Sequence, residues 1–435
     1  MRVCKIILSV VLSLIALALL GASVLVLLDV VPGEKAEPAV LQTDTIFSEP
    51  QPPEKPEPEQ PAEQKPEAPA QDLAPQPEPI PEEPEQTPHT AAARIQTMTT
   101  EELAWQLILT TPESITGVGR VTRAGEATRD ALEACPVGGL CYFAANLEDR
   151  AQVQTMLAQV QSYAKIPLFL AVDEEGGAVS RVGSNEALGT TRFEAAAVYG
   201  ARADMAEVCK VGQTMADELL ELGFNLNFAP VADVITNPNN TEIGNRAYSD
   251  DPQVAAAMVE AMVQGLQSHK MMACLKHFPG HGSTEADSHA DRSVSVRTME
   301  ELRQTEWIPF RAGIEADAAF VMLSHLTNEN LSTMPASLSP EVVACLRQEL
   351  GFTGIVITDS QQMGAITNYY TPAEAAVKAL QAGADMILMP ADPVAAVQGI
   401  VAAVESGALT RARLEESVGR IFAVKTQYGL LPPEE

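Results

Sequence analysis

A parallel eight-stranded α/β barrel is the fold class this sequence predicts, and three observations point to it. Eight short apolar runs recur along residues 106–390, several of them separated by alanine-rich segments of 3.6-residue period. The runs are nearly continuous in apolar residues, as expected for strands buried on both faces of a parallel sheet. Polar and ionisable residues gather where the runs end, the face at which such barrels build their sites. Eight units suit a (β/α)8 barrel better than a doubly wound sheet. No Gly-x-Gly-x-x-Gly follows the first run, which weakens a dinucleotide-binding reading.

Two compositional zones precede the barrel. Residues 6–28 run 23 positions without a charge, about 34 Å as a helix and enough to cross a bilayer core. Arg2 and Lys5 lie before the run, and Asp29 and Glu34 after it, which favours a cytoplasmic N-terminus. Residues 1–31 are therefore expected to be an uncleaved single-pass anchor with the rest of the chain outside the cytoplasm. The alternative is a cleaved signal peptide and secretion. It is disfavoured by the length of the run and the lack of a small-x-small site. Residues 32–93 form the second zone. Fourteen prolines fall among the 39 residues from Pro50 to Pro88, interleaved with Glu, Gln and Ala, and this composition cannot repay the entropy of folding. A disordered, extended spacer is expected, with a Pro-rich binding ligand as the alternative.

The remainder, 94–435, is long enough for one large barrel. Its runs are QLILTT (106–111), GGLCYF (138–143), PLFLAVD (167–173), NLNFAPV (225–231), ACLKHF (273–278), FVMLSHL (320–326), GIVITDS (354–360) and DMILMP (385–390). Segments 206–223 and 252–269 carry clear helical periodicity between them. Asp173, Lys276, His277, His325 and Asp359 fall at or just past strand ends. The formal charge is −30 and no basic stripe appears, so nucleic acid is excluded as a partner. Of six cysteines, Cys4 lies at the start of the apolar run. The other five show no C-x-x-C spacing and read as small buried residues, Cys141 and Cys274 above all.

The stretch KHFPGHGSTEADSHAD (276–291) concentrates three of the six histidines. His277, His281 and His289 suggest a metal site at first sight. Pro279 and Gly280 keep His277 and His281 off a common helix face, and Lys276 places a cation beside them. No metal and no cofactor is expected. Taken alone, Asp287 and His289 read as a solvated loop, Asp359-Ser360 as a helix cap, DEEGG (173–177) as an acidic turn, and His325 as a structural histidine.

The stretch resembles the signature of glycoside hydrolase family 3, in its bacterial β-N-acetylhexosaminidase branch, where K-H-F-P-G-H-G leads to D-S-H. VDEEGGAVSRV (172–182), NLNFAPVADV (225–234), IGNRAYSDDP (243–252) and GFTGIVITDSQQMGAI (351–366) agree in order, and the likeness runs from about Met98 to Leu431. The resemblance implies a retaining β-glycosidase. The nucleophile maps onto Asp359 and the general acid/base onto His289, oriented by Asp287. Asp173, Arg181, Arg246, Lys276 and His277 map onto positions that bind the sugar.

The chemistry suits those residue types. A retaining mechanism needs a carboxylate to attack the anomeric carbon and a proton donor at the leaving oxygen. Histidine titrates near neutrality and can donate and then accept one proton. A nearby carboxylate can fix its tautomer. Three departures bear on specificity: Ala178 stands where arginine is common, T-D-S-Q-Q-M replaces S-D-D-L-S-M, and I-G-N-R-A-Y replaces I-G-D-R-S-F.

The resemblance therefore implies hydrolysis of terminal β-linked N-acetylglucosamine from muropeptide-like peptidoglycan fragments. The alternatives are a β-glucosidase-like hydrolase, a glycoside phosphorylase, and a non-catalytic wall-binding barrel. β-Glucosidases of the family often take a glutamate acid/base from a second domain. Because the sequence ends near the barrel, the D-S-H loop is expected to supply that group here.

Overall fold

The computed structural model describes residues 91–284 and 293–433. Its centre is one eight-stranded parallel barrel, and each predicted apolar run supplies one strand. The strands are β1 (Ile108–Thr110), β2 (Gly139–Tyr142), β3 (Phe169–Val172), β4 (Leu226–Asn227), β5 (Met272–Phe278), β6 (Phe320–Leu323), β7 (Ile355–Thr358) and β8 (Ile387–Leu388). Neighbours pair in parallel from β7 through β6, β5, β4, β3, β2 and β1 to β8. A parallel bridge between Ile357 and Met386 closes the circle, supported by Thr358 N–H donating to Met386 O at 3.1 Å.

Local chemistry sets where the outer helices begin. Asp251-Pro252, Thr371-Pro372 and Asp392-Pro393 each put a capping side chain before a proline in the first turn. The cap satisfies an orphan backbone donor, and proline costs nothing where no intrahelical N–H bond is made. The helices Met205–Leu222 and Pro252–Ser268 match the two periodic segments read from sequence. The strands are buried along their whole length, so their side chains either fill the barrel or pack under the helices. Phe169 on β3 meets Phe320 on β6 edge to face at 5.2 Å, a contact across the interior because these strands are not neighbours. A fully buried phenylalanine contributes about 1.5–3 kcal/mol in transfer free energy.

Two short ribbons decorate the mouth where the strands end. Glu174–Gly176 pairs antiparallel with Val179–Ser180, so the acidic turn seen in the sequence is a hairpin that continues β3. Val294–Ser295 pairs parallel with Thr327–Asn328 beyond β6. Among the described residues no helix is long and apolar enough to cross a membrane. The expected anchor (1–31) lies outside the described residues, as does nearly all of the expected spacer (32–93).

Candidate active site

A cavity of about 440 Å³ opens at the C-terminal ends of the strands. Asp173, Arg181, Arg246, Lys276, His277 and Asp359 all line it, so six of the eight residues singled out in the sequence converge on one pocket. The other two, Asp287 and His289, lie outside the described residues. The flanks of their segment are close together, with Ser283 Oγ 3.0 Å from Ser295 Oγ.

Three of the five sugar-binding candidates, Asp173, Arg246 and Lys276, are joined in one ionic network through Glu175. Lys276, buried on β5, places Nζ 2.7 Å from both Asp173 Oδ1 and Glu175 Oε1. Arg246 grips Glu175 with two parallel bonds, Nε to Oε2 and Nη2 to Oε1, both 2.9 Å. Such a fork fixes the guanidinium plane as well as its charge. Burial alone would raise the Glu175 carboxyl, but Lys276 and Arg246 overturn that and bring it down to about 2. Burial likewise disfavours the charge on Lys276, and Asp173 and Glu175 reverse the effect and raise it well above a free lysine.

Counting donors shows what remains for a ligand. Ammonium carries three N–H bonds, and the two carboxylates use two. Among the described residues the third is unclaimed, in a side chain that lines the pocket. Arg181 lies with its guanidinium carbon 5.8 Å from the Phe143 ring centroid, and its buried Nε has no hydrogen-bond partner among the described residues.

Asp359 follows the last residue of β7, and its backbone N–H donates to Leu323 O on β6 at 2.8 Å. Its Oδ1 accepts only the adjacent Ser360 N–H, at 2.7 Å, among the described residues. The next helix starts at Gly364 with Met363 as its cap, so Asp359 is not a helix cap. Burial pushes the Asp359 carboxyl up, but His277, His325, the Ser360 N–H and Lys276 together pull it below the ordinary carboxylate value. It is an ionised, sparsely bonded carboxylate on a rigid strand end, facing a cavity.

His277 is held from behind. Its Nδ1 lies 2.7 Å from Asp233 Oδ2, and its Nε2 lies 3.4 Å from Arg246 Nη2. His281 is buried, with Nδ1 3.1 Å from Thr284 Oγ1 and Nε2 3.7 Å from Glu242. It is built into the turn after β5. That turn needs glycine at 282, where a Cβ would stand 1.8 Å from Val234 O. His325 bonds Ser337 Oγ at 2.7 Å and Ser360 O at 2.8 Å, the supporting part its sequence context suggested. Among the described residues no three histidine, cysteine, aspartate or glutamate side chains are grouped to hold a metal ion.

Sequence reasoning missed Glu175, Asp233 and Glu242. Glu175 was accessible, because i and i+2 on a strand share a face and Asp173 was already a candidate. Asp233 was also signalled, as a lone acid inside the apolar run FAPVADV. Glu242 gave no signal. Cys141 was read as a core residue and is buried, but it also lines the pocket.

A closed parallel barrel with one carboxylate-and-cation pocket at its C-terminal mouth defines an enzyme of the α/β-barrel type. Comparison with known proteins narrows this. Residues 99–424 match the family description "Glycosyl hydrolase family 3 N terminal domain", and the chain belongs to that family. It is 32% identical over 320 residues to beta-hexosaminidase A of Pseudoalteromonas piscicida, covering 67% of this chain and 53% of that one. The chain thus spans about half the length of that relative. A beta-hexosaminidase of Xylella fastidiosa is 37% identical over 276 residues, 63% of this chain and 82% of its own. A solved glycoside hydrolase family 3 beta-N-acetylglucosaminidase from Paenibacillus sp. superposes with TM-score 0.72 at 34% identity, over 77% of this chain and 63% of that one. A solved beta-glucoside phosphorylase superposes with TM-score 0.70 at 25% identity, over 79% and 62%.

Proposed function

We propose that the protein is a retaining exo-β-N-acetylglucosaminidase that removes terminal non-reducing β-linked N-acetylhexosamine, with peptidoglycan fragments as the source. The observation that carries this is the pocket itself. Asp359, an ionised carboxylate that accepts one N–H among the described residues, shares one pocket with a Lys276–Asp173 pair and Arg181, groups suited to adjacent sugar hydroxyls. The hexosaminidase names of the relatives support the choice of sugar.

In this reading Asp359 attacks the anomeric carbon as the bond to the leaving oxygen breaks, and a proton from His289 neutralises that oxygen. The product is a covalent glycosyl-enzyme. Water then attacks the same carbon, giving its proton to His289 and freeing Asp359. Asp287 orients the imidazole and stabilises its charged form. Asp173, Arg181, Arg246, Lys276 and His277 bind the sugar.

A second reading, phosphorolysis, is favoured by the likeness to the beta-glucoside phosphorylase. One experiment separates the two: rates on 4-nitrophenyl β-N-acetylglucosaminide and β-glucoside, each with and without phosphate. The proposal expects the acetylated sugar to be preferred and phosphate to leave the rate unchanged. Preference for glucoside, or acceleration by phosphate with sugar phosphate as product, would replace it.

Residues 1–31 are proposed to anchor the enzyme to the membrane, with 32–93 as an extended spacer holding residues 94–435 outside the cytoplasm. Full-length protein should then sediment with membranes and resist salt washing. Proteolysis between about Pro50 and Thr90 should release a fully active barrel. Enzyme found free in the medium, cut near Ala22, would mean secretion.

A further inference from the structure

We propose that Asp233 is a positioning residue of the active site, fixing the His277 imidazole in the pocket that Asp359 lines. The inference rests on the hydrolase reading above. Asp233 lies just past β4, runs beside the end of β5, and is completely buried. Its carboxylate accepts three N–H bonds: His277 Nδ1 at 2.7 Å, His277 backbone N at 3.1 Å and His281 backbone N at 2.6 Å. Among the described residues no lysine or arginine pairs with it, and its side-chain partner is the His277 imidazole. A buried carboxylate is costly unless matched by donors or charge. Here the match is the imidazole and two peptide N–H groups.

The geometry fixes which nitrogen does what. Nδ1 carries its proton toward Asp233, which can only accept. Nε2 is then the atom at the pocket wall. Beside it stands Arg246, which can only donate. His281 faces the ring at 6.1 Å between centroids. Asp359 and Lys276 line the same pocket, and Glu175 reaches His277 through Arg246. Burial raises the Asp359 carboxyl, and His277 is the first of the groups that bring it back down. Asp233 thus sets the tautomer and plane of the ring that His277 presents to the pocket it shares with Asp359.

The test compares Asp233→Asn with His277→Ala and the double variant. Asparagine keeps the shape and can still accept a proton bond, but it removes the charge. Asp233→Asn should lower kcat by about tenfold to a hundredfold, the range for partners that orient a functional imidazole. The loss should persist at temperatures well below Tm, because it comes from a misplaced imidazole and not from unfolding. In the His277→Ala background, Asp233→Asn should add nothing to the loss of kcat/KM. Wild-type kcat and KM with only a lower Tm would overturn the proposal, as would an equal cost in both backgrounds. A readout independent of turnover comes from selective ¹⁵N-histidine labelling of the full chain. The His277 Nδ1–H resonance should be present in the wild type and shifted or lost in Asp233→Asn, and an unchanged resonance would overturn the proposal. Wild-type protein inactive on aryl β-N-acetylhexosaminides would instead count against the hydrolase reading.

Discussion

Both ends of the barrel bury acids and bases together, but they use them in opposite ways. At the base, Asp385 is fully buried and its oxygens accept from Arg347, Arg420 Nη1 at 2.9 Å, Ser417 Oγ at 2.8 Å and Val356 N at 3.0 Å. Arg347 spends further donors on Phe352 O and Gly354 O, and Arg413 Nη2 bonds Ala384 O. Little bonding capacity is left over. At the mouth, counting the described residues alone, Asp359 accepts a single N–H, Arg181 Nε is unmatched, and Lys276 keeps one donor in hand. A buried charge therefore does not mark a site. Hydrogen-bonding capacity left open toward a cavity does.

That contrast can be broken or sharpened by substitution. The largest effect should come from Asp359→Asn, which removes the nucleophile. Turnover of an aryl N-acetylglucosaminide should fall on the order of 10⁴-fold or more, with Tm close to the wild type. His289→Ala should lose about 10²–10⁴-fold on substrates with poor leaving groups. On nitrophenyl substrates it should lose less, with azide restoring deglycosylation. Equal losses on all substrates without rescue would make His289 a binding residue.

At the base the outcome should invert. Asp385→Asn leaves three arginines short of charge and should cost about 3–5 kcal/mol by chemical denaturation. The protein that remains folded should keep kcat/KM.

A further base residue sharpens the point. Lys425 is fully buried with Nζ 3.2 Å from Gly138 O, 3.4 Å from Gln106 Oε1 and 4.8 Å from the Phe169 ring centroid. Burial, reinforced by Arg94, drives it down to about 7. Between that value and about 10.4, the ordinary lysine value, the unfolded chain binds the proton and the folded chain does not. Stability therefore rises with pH across this window, and the cost of the charge is fully present below it. Lys425→Met should be more stable than the wild type at pH 6 by up to about 4 kcal/mol, with the advantage shrinking by pH 9. An advantage independent of pH would show that Lys425 stays charged. The smallest effect should be that of Arg181→Met. It should raise KM several-fold, on the order of 1–2 kcal/mol for a lost charged hydrogen bond, with kcat nearly unchanged.

Most of the barrel was legible because each strand is an apolar run and strand burial leaves little choice of residue. β5 shows where the reading stopped. The sequence ended this run at Phe278 with Lys276 and His277 among its last residues, as the strand does. Nothing in residue type distinguishes a lysine at a strand end from one whose charge is met by Asp173 and Glu175 from β3 and its extension. The pocket residues were reached through motif resemblance. Their supports were not, because Asp233 acts on His277 across 44 positions of sequence and Glu175 on Arg246 across 71. Such pairings arise only when the barrel closes.

The central claim is that Asp359 forms a covalent bond to the sugar. The direct measurement is trapping with an activated fluorinated N-acetylglucosaminyl inhibitor, followed by mass spectrometry of the digested protein. The account predicts one added glycosyl group per chain, on the peptide containing Asp359, with turnover lost in proportion. Label on another carboxylate, or inactivation without any covalent adduct, would contradict it.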